Sequence, residues 1–237
     1  ADRLDTLVGI FGIGQPPTGS KDPFALRRAS LAVIRILIDQ RKPASLRALL
    51  ERAASQHTAE LQPDTVATVL QYILDRLGNW YDDEGIHISV LRAVLATEIS
   101  DLFDIDLRVR VLTRFAQTET AEHLAASNKR VANILAKADS LDDQQPSSSL
   151  FTEEAEIALY GAVEAADAAV EPLLVHRNYQ GALDELAKLH GPVYEFFEHV
   201  MVNSDNPEER QNRYRLLSRL RHLFTQLADL ALLATTE

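Results

Sequence analysis

The chain contains no cysteine, and its 237 residues include only one methionine and one tryptophan. Without cysteine there can be no disulfide bridge, no thiol nucleophile, no iron–sulfur cluster and no cysteine-based zinc site. Uninterrupted apolar runs are only a few residues long, whereas a helix that crosses a membrane needs about 20 apolar residues. We therefore expect a cytoplasmic protein that has no membrane partner.

A sustained alternation of apolar and polar residues, which is typical of β-strands, is also missing. Apolar residues instead recur at helical spacing, as at Val66, Val69, Leu70, Ile73 and Leu77. This pattern predicts an all-α fold made of helical bundles. Helices are expected to start at Asp22-Pro23 and Asn206-Pro207, because a capping residue followed by proline is typical of a first turn.

The same periodicity divides the rest of the chain into helices and connections. We predict a connection from Gly78 to Gly85, a helix over about 119–138 and a linker over 140–149, which is rich in serine and acid. Three long helices are then expected over about 152–176, 179–200 and 206–234. The first residues, Ala1-Asp2-Arg3-Leu4-Asp5, have a mid-helix pattern, so we expect the chain to be a fragment of a longer protein.

Motifs for catalysis are missing too. The seven histidines include no H-x-x-x-H pair, and neither a G-x-S-x-G elbow nor a P-loop occurs. Gly12-Ile13-Gly14 lacks the third glycine of a dinucleotide fingerprint. The acidic groups at 82–84 and at Asp101, Asp104 and Asp106 resemble solvated helix ends more than a metal site. We therefore predict no catalytic residue, no metal ligand and no cofactor in this chain.

A basic strip is present on a chain whose net charge is −11. On the helix predicted over 119–138, Arg130, Asn133 and Lys137 fall within about 60° of one another, opposite the apolar face, with Lys129 on the flank. Lysine and arginine can pair with phosphates, and asparagine can read a base edge. The strip is thus either an RNA-binding surface or an ordinary solvated helix face.

Two further segments carry positive charge. The last helix has five arginines between Arg210 and Arg221. Of these, Arg210 and Arg213 are candidate RNA contacts together with Tyr214, whose ring could stack on an unpaired base. Arginine stems that cover the edge of a core are the alternative. Three cations lie beside the helix start expected at Asp22-Pro23: Lys21, Arg27 and Arg28. They could hold a phosphate or simply belong to a loop that connects two helices.

Three long motifs carry a resemblance to a known family. They read FGIGQPPTGSKDPFALRR at 11–28, NKRVANIL at 128–135, and EFFEHVMV at 195–202 with NP at 206–207 and RQNR at 210–213. Together, and in this order, they resemble the β-subunit of bacterial tetrameric glycyl-tRNA synthetase. Residues 1–5 also resemble the last motif of the HD phosphohydrolases, but the H…HD ligands of that superfamily have no counterpart in this chain.

The resemblance implies a division of labour between subunits. The α-subunit of that family carries the class II active site, which uses ATP and Mg²⁺, and the β-subunit supplies most of the tRNA contacts. Residues 1–58 would end an HD-like helical domain, 59–118 would form intermediate helices, and 119–237 would form an anticodon-binding bundle of the arginyl-tRNA synthetase type. The implied partners are glycine tRNA, the α-subunit and the rest of the β-subunit. The alternative is a helical scaffold for subunit assembly without anticodon readout.

Overall fold

The computed structural model describes residues 1–19, 21–138 and 140–233, and every regular element in these ranges is helical. The predicted all-α class is confirmed. Within the described ranges, two short 3₁₀ turns, Ser148–Leu150 and Leu230–Leu232, accompany eleven α-helices. In chain order the helices are α1 Asp2–Gly12, α2 Leu26–Asp39, α3 Leu46–Ala54, α4 Thr65–Asp83, α5 Ile88–Leu95, α6 Leu102–Phe115, α7 Glu119–Ala136, α8 Glu154–Val175, α9 Tyr179–Ala187, α10 His190–His199 and α11 Pro207–Thr225.

The helices group into two compact units. The first unit comprises residues 1–91 and 98–107, and the second comprises residues 92–97 and those from Arg108 onward. Helix α4 packs against α1, α2 and α3 inside the first unit. The domain boundaries expected near residues 58 and 118 remain predictions.

The first unit is built on the buried faces of α1 to α4. Leu7, Val8 and Phe11 of α1 are buried against neighbouring helices. Helix α2 begins at Leu26, a few residues after the predicted start at Asp22-Pro23. The reason is local, because the Asp22 carboxylate accepts hydrogen bonds from the backbone N–H groups of Leu26 and Arg27, at 2.8 and 3.0 Å. Asp22 therefore caps the helix from a preceding turn instead of joining it.

The connection predicted from Gly78 to Gly85 is wrong over its first six residues, 78–83, which are helical. Helix α4 continues through Gly78 to Asp83, because its apolar stripe continues through the buried residues Leu77 and Tyr81. The Tyr81 hydroxyl donates to Asp106 at 3.0 Å, which ties the end of α4 to α6. Gly85, with φ +74°, lies in the left-handed region that glycine adopts readily and follows the end of the helix.

The second unit holds α7 to α11, and two of its predicted long helices are shorter than expected. The helix predicted over 179–200 is divided into α9 and α10. Pro192 favours the division, because it has no N–H for the carbonyl four residues earlier and fits best in a first helical turn, where it lies in α10. The last helix ends at Thr225, and the Asp229 side chain caps the 3₁₀ turn that follows. Residue 234, the predicted helix end, lies outside the described residues.

Candidate nucleic-acid interface

Helix α7 carries an exposed basic strip in the second unit. The Thr118 side chain caps the helix by accepting from the N–H of Ala121, and the buried face includes Leu124 and Val131. Arg130, Asn133 and Lys137 are exposed on the other side, as the helical wheel predicted, and we call these three residues the α7 strip. Lys129 is half-buried on the flank. Whether these residues contact RNA remains a prediction.

Helix α10 lies beside the α7 strip and adds aromatic side chains to it. The Arg130 guanidinium lies over the Phe197 ring, 4.1 Å from its centroid, and the rings of His123 and His190 are 5.1 Å apart. The two contacts are separated by seven residues on α7, from 123 to 130, and by seven residues on α10, from 190 to 197. The two helices therefore run side by side in the same direction. Each contact places a cationic or titratable group of α7 against a ring of α10.

The exposed edge of α10 was missed by the sequence reasoning. Tyr194 is 54% exposed, and Met201, just beyond the helix, is 77% exposed. Residues 190, 194 and 197 follow one another at helical spacing and share one side of α10, whereas Met201 follows the extended residue Val200. We call Tyr194, Phe197 and Met201 the α10 edge. The spacing of three and four residues between these apolar side chains could have indicated an exposed edge, but the same spacing is equally typical of a buried helix face.

The structure removes Arg213 from the candidate surface. Its side chain is 5% exposed, and its guanidinium donates to Glu156 Oε1 at 2.7 Å, to the Met201 carbonyl at 2.9 Å and to Thr152 Oγ1 at 3.1 Å. The hydrogen bond that Arg213 donates to Glu156 is the main cause that raises the pKa of Arg213 above its usual range. A cation that is held in this way inside the unit is unavailable to a phosphate.

Tyr214 and Arg210 are likewise committed within the fold. Tyr214 is buried and its hydroxyl donates to Asn203 Oδ1 at 2.8 Å, so its ring offers no open face to a base. Arg210 is half-buried and donates to the Ser204 carbonyl at 2.6 Å. Both side chains therefore hold the turn between α10 and α11.

The other arginines of α11 pair with carboxylates of the same unit. Arg215 donates twice to Asp142, at 2.7 and 2.6 Å, and this bond leads the causes that lower the pKa of the Asp142 carboxyl below its usual range. Arg219 pairs with Glu164 and Arg221 pairs with Asp229. The basic run between 210 and 221 thus serves mainly to join α11 to its surroundings.

The basic loop of the first unit is also partly structural. Arg27 donates to the Gly19 carbonyl, whereas Lys21 and Arg28 are exposed. Burial raises the pKa of Asp22, but the two backbone hydrogen bonds and the nearby arginines outweigh it and hold that pKa below its usual range. Ser20 of this loop lies outside the described residues. Lys21 and Arg28 thus remain open to solvent, and their role in binding stays a prediction.

The acidic clusters form no metal site in the described part of the chain. No group of three or more His, Asp or Glu side chains that could hold a metal ion occurs there. Asp104 and Asp106, which we expected at a solvated helix end, are buried. The reason for the difference is that they lie inside α6, where the Tyr81 hydroxyl donates to Asp106. Within the same ranges no helix is long and apolar enough to span a membrane.

Comparison with known proteins finds one matching family model for each half of the chain. Residues 1–96 match the family model of the glycyl-tRNA synthetase beta subunit, and residues 124–235 match that of the DALR anticodon binding domain. Among curated relatives, the glycine–tRNA ligase beta subunits of Ectopseudomonas mendocina and Pasteurella multocida are 47% and 46% identical to this chain. Each alignment covers 98% of the chain. The chain spans 34% of each relative, about a third of its length.

Proposed function

Since the chain belongs to the glycyl-tRNA synthetase beta-subunit family, we propose that its second unit binds glycine tRNA at the anticodon end. One observation carries the proposal. The anticodon-binding match covers residues 124–235, and this range contains the exposed α7 strip and the α10 edge beside it. No catalytic role is proposed for the chain itself.

The α7 strip supplies the chemistry that RNA recognition requires. Arg130 and Lys137 would pair with backbone phosphates, which position the RNA, and the Asn133 amide would hydrogen-bond to a base edge. No ion-pair partner of Lys137 occurs among the described residues. Its charge is therefore not neutralised before RNA arrives.

We further propose that the remainder of the enzyme performs the reaction. Its α-subunit would use ATP and Mg²⁺ to charge glycine tRNA in the cytoplasm, while the β-subunit holds the tRNA by its anticodon end. The relatives, which are about three times as long as this chain, are named as glycine–tRNA ligase beta subunits, and this supports a role within that complex. The partners would then be the α-subunit, the rest of the β-subunit and glycine tRNA.

The test reverses charge on the α7 strip in a reconstituted complex of full-length α- and β-subunits. Lys137→Glu should weaken binding of glycine tRNA about tenfold, since a phosphate attraction becomes a repulsion of similar size. Arg130→Glu added to it should weaken binding further. The control is Lys188→Glu on an exposed residue after α9, which changes the net charge equally and should leave affinity unchanged. Normal tRNA charging and affinity in the Arg130→Glu/Lys137→Glu double variant would refute the role of the strip.

The scaffold alternative has one observation in its favour. In the first unit, α1, α2 and α3 surround an open groove of about 770 Å³ that is mainly apolar. Its lining includes Leu4, Ile36 and Leu49, and Ile36 is an exposed apolar residue. Exposed apolar grooves are typical of docking sites. If Ile36→Glu prevented assembly with the α-subunit while the α7 strip proved unimportant for tRNA, the scaffold function would replace the one proposed.

A further inference from the structure

The contact between Arg130 and Phe197 joins the α7 strip to α10. We infer that Phe197 is a positioning residue, whose ring holds the Arg130 guanidinium in the orientation in which it binds an RNA phosphate. The inference rests on the proposed binding of tRNA and names the residue that prepares one of its phosphate contacts. The observation behind it is the position of the guanidinium, 4.1 Å from the centroid of the Phe197 ring.

Arg130 is held by an aromatic ring instead of by a carboxylate. Its side chain is exposed, and within the described part of the chain its guanidinium forms no hydrogen bond and no ion pair. A ring attracts a cation through its π-face and takes up none of the N–H donors of the guanidinium. Those donors therefore stay free for the paired hydrogen bonds that an arginine forms with a phosphate.

The arginines of α11 are held in the opposite way. Arg213 donates to Glu156 Oε1 at 2.7 Å. Arg215 donates to Asp142 Oδ1, also at 2.7 Å. A carboxylate neutralises the charge of its arginine and occupies the N–H groups that a phosphate would need. In a chain with 35 acidic residues against 24 Lys and Arg, an aromatic partner fixes an arginine and keeps it available for binding.

The Phe197 ring is itself fixed by the core of the second unit. Phe196 is fully buried, and the two rings meet edge to face, with centroids 5.4 Å apart and an interplanar angle of 76°. Val193, one turn earlier on α10, is also buried. The half-buried Phe197 ring is thus a rigid platform. A guanidinium that is fixed on it before binding loses less conformational entropy when the phosphate arrives.

Acidic side chains near Arg130 do not replace the ring as its partner. Residues 123–137 of α7 contain no Asp or Glu. On α10, the exposed Glu198 follows Phe197, but successive residues point about 100° apart around a helix. Among the described residues, no ion pair joins Glu198 to Arg130. Because Glu198 nevertheless lowers the positive potential nearby, its removal is one arm of the test.

The experiment measures the Kd for glycine tRNA in the complex of full-length α- and β-subunits. Phe197→Leu keeps an apolar side chain but removes the ring, and should raise the Kd about two- to fivefold, as expected for loss of a cation–π contact at an exposed site. Phe197→Tyr keeps a ring and should retain the wild-type Kd. The matched control is Phe151→Leu, since Phe151 is also half-buried and contacts the ring of Tyr160. An unchanged Kd for Phe197→Leu, or an equal rise for the control, would overturn the inference.

A second change at position 197 separates the attraction of the cation from packing. A polyfluorinated phenylalanine has nearly the same shape as phenylalanine, but fluorine withdraws electrons and removes the negative π-face. It should raise the Kd as Phe197→Leu does, and it serves in place of that variant if the leucine prevents assembly. A wild-type Kd for the fluorinated protein would overturn the role of the ring.

The action of Phe197 through Arg130 has its own readout. Arg130→Ala should raise the Kd, and Phe197→Leu should have little further effect in that background, because both changes weaken the same phosphate contact. Additive effects would contradict a role through Arg130. Glu198→Gln removes a negative charge and should leave the Kd unchanged or lower it. If it instead raised the Kd as much as Phe197→Leu, the carboxylate would be the positioning group and the inference would be wrong.

The outcomes distinguish this inference from the proposed function. If Arg130→Ala and Lys137→Glu weaken binding but Phe197→Leu does not, the positioning role is wrong and tRNA binding by the α7 strip stands. If none of the three changes the Kd, the proposed function fails as well. In tRNA charging, Phe197→Leu should raise the KM for tRNA at an unchanged kcat, because it affects binding alone. A lower kcat at an unchanged KM would contradict the inference.

Discussion

The Glu156–Arg213 pair is the most sensitive point of the second unit. Glu156 is fully buried, and its Oε1 accepts from Arg213 at 2.7 Å. Its Oε2 accepts from the backbone N–H groups of Thr152 and Glu153, each at 3.0 Å, as part of the capping box of α8. Glu156→Ala would remove the pair and part of the cap together, and would leave a guanidinium charge buried beneath the α10–α11 turn.

The expected loss of stability follows from these contacts. Removing one partner of a buried ion pair costs about 3–5 kcal/mol, and losing a helix cap costs about 1 kcal/mol. Arg213 keeps two other acceptors, the Met201 carbonyl and Thr152 Oγ1, which reduce the first figure. We therefore expect Glu156→Ala to lower the free energy of unfolding by roughly 3–4 kcal/mol. Urea titration followed by circular dichroism measures this, with Glu154→Ala on the exposed first turn of α8 as the control.

The pair should also make stability depend on acid. Burial raises the pKa of Glu156, but the hydrogen bonds from Arg213 and from the two backbone N–H groups outweigh it, so its folded pKa lies below the usual value. The unfolded chain then binds more protons than the folded one between these two pKa values. This part of the stability is present above about pH 4.3, the unfolded pKa of glutamate, and is lost as pH falls through the folded pKa. Wild type should therefore lose more stability than Glu156→Gln between pH 5 and the acid limit. A loss below about 1 kcal/mol for Glu156→Ala, or equal acid dependence for wild type and Glu156→Gln, would refute the reasoning.

Three further substitutions test the packing and the linker. Gly12→Ala should destabilise the first unit by about 1–3 kcal/mol, because a Cβ there would collide with the Leu61 side chain. Gly161→Ala, where nothing lies within 4 Å, should instead raise the melting temperature slightly. Asp142→Asn should speed proteolytic cleavage of the 140–149 segment at neutral pH, since it weakens the double hydrogen bond to Arg215; an unchanged cleavage rate would show that this bond does not order the segment.

Local information in the sequence was sufficient for the helices and for the α7 strip. Helical periodicity depends only on neighbours three and four residues apart, so the exposed positions of Arg130, Asn133 and Lys137 follow from one helical wheel. Helix ends were less predictable. The apolar stripe of α4 passes through Gly78 without interruption, and Pro192 divides a stripe that continues on both sides of it. Burial of the stripe against other helices decides the outcome at Gly78, whereas the missing N–H group decides it at Pro192.

The role of the α11 arginines could not be read from the sequence, because their partners are distant along the chain. Arg213 meets a glutamate 57 positions earlier, and Arg215 meets Asp142 73 positions earlier. The last helix alone shows five cations near an apolar stripe, a pattern that fits a phosphate-binding face and a set of tertiary ion pairs equally well. The α10 edge was missed for the same reason, since its exposure depends on what packs beside it.

These ion pairs also show how an acidic unit can present a basic surface. The carboxylates of Glu156, Asp142 and Asp229 each pair with an arginine of α11. These three negative charges are therefore neutralised within the fold. The net charge of −11 remains, however, and opposes the approach of a polyanion. If Arg130 and Lys137 of the α7 strip are the two cations that pair with phosphates, the slope of log K against log salt should be only about −2, far shallower than for a broadly basic RNA-binding protein. Most of the proposed affinity for tRNA would then come from contacts that salt does not screen, such as a hydrogen bond from the Asn133 amide to a base. A steep slope, of about −5 or beyond, would mean that other basic surfaces of the complex dominate binding and that α7 plays a minor part.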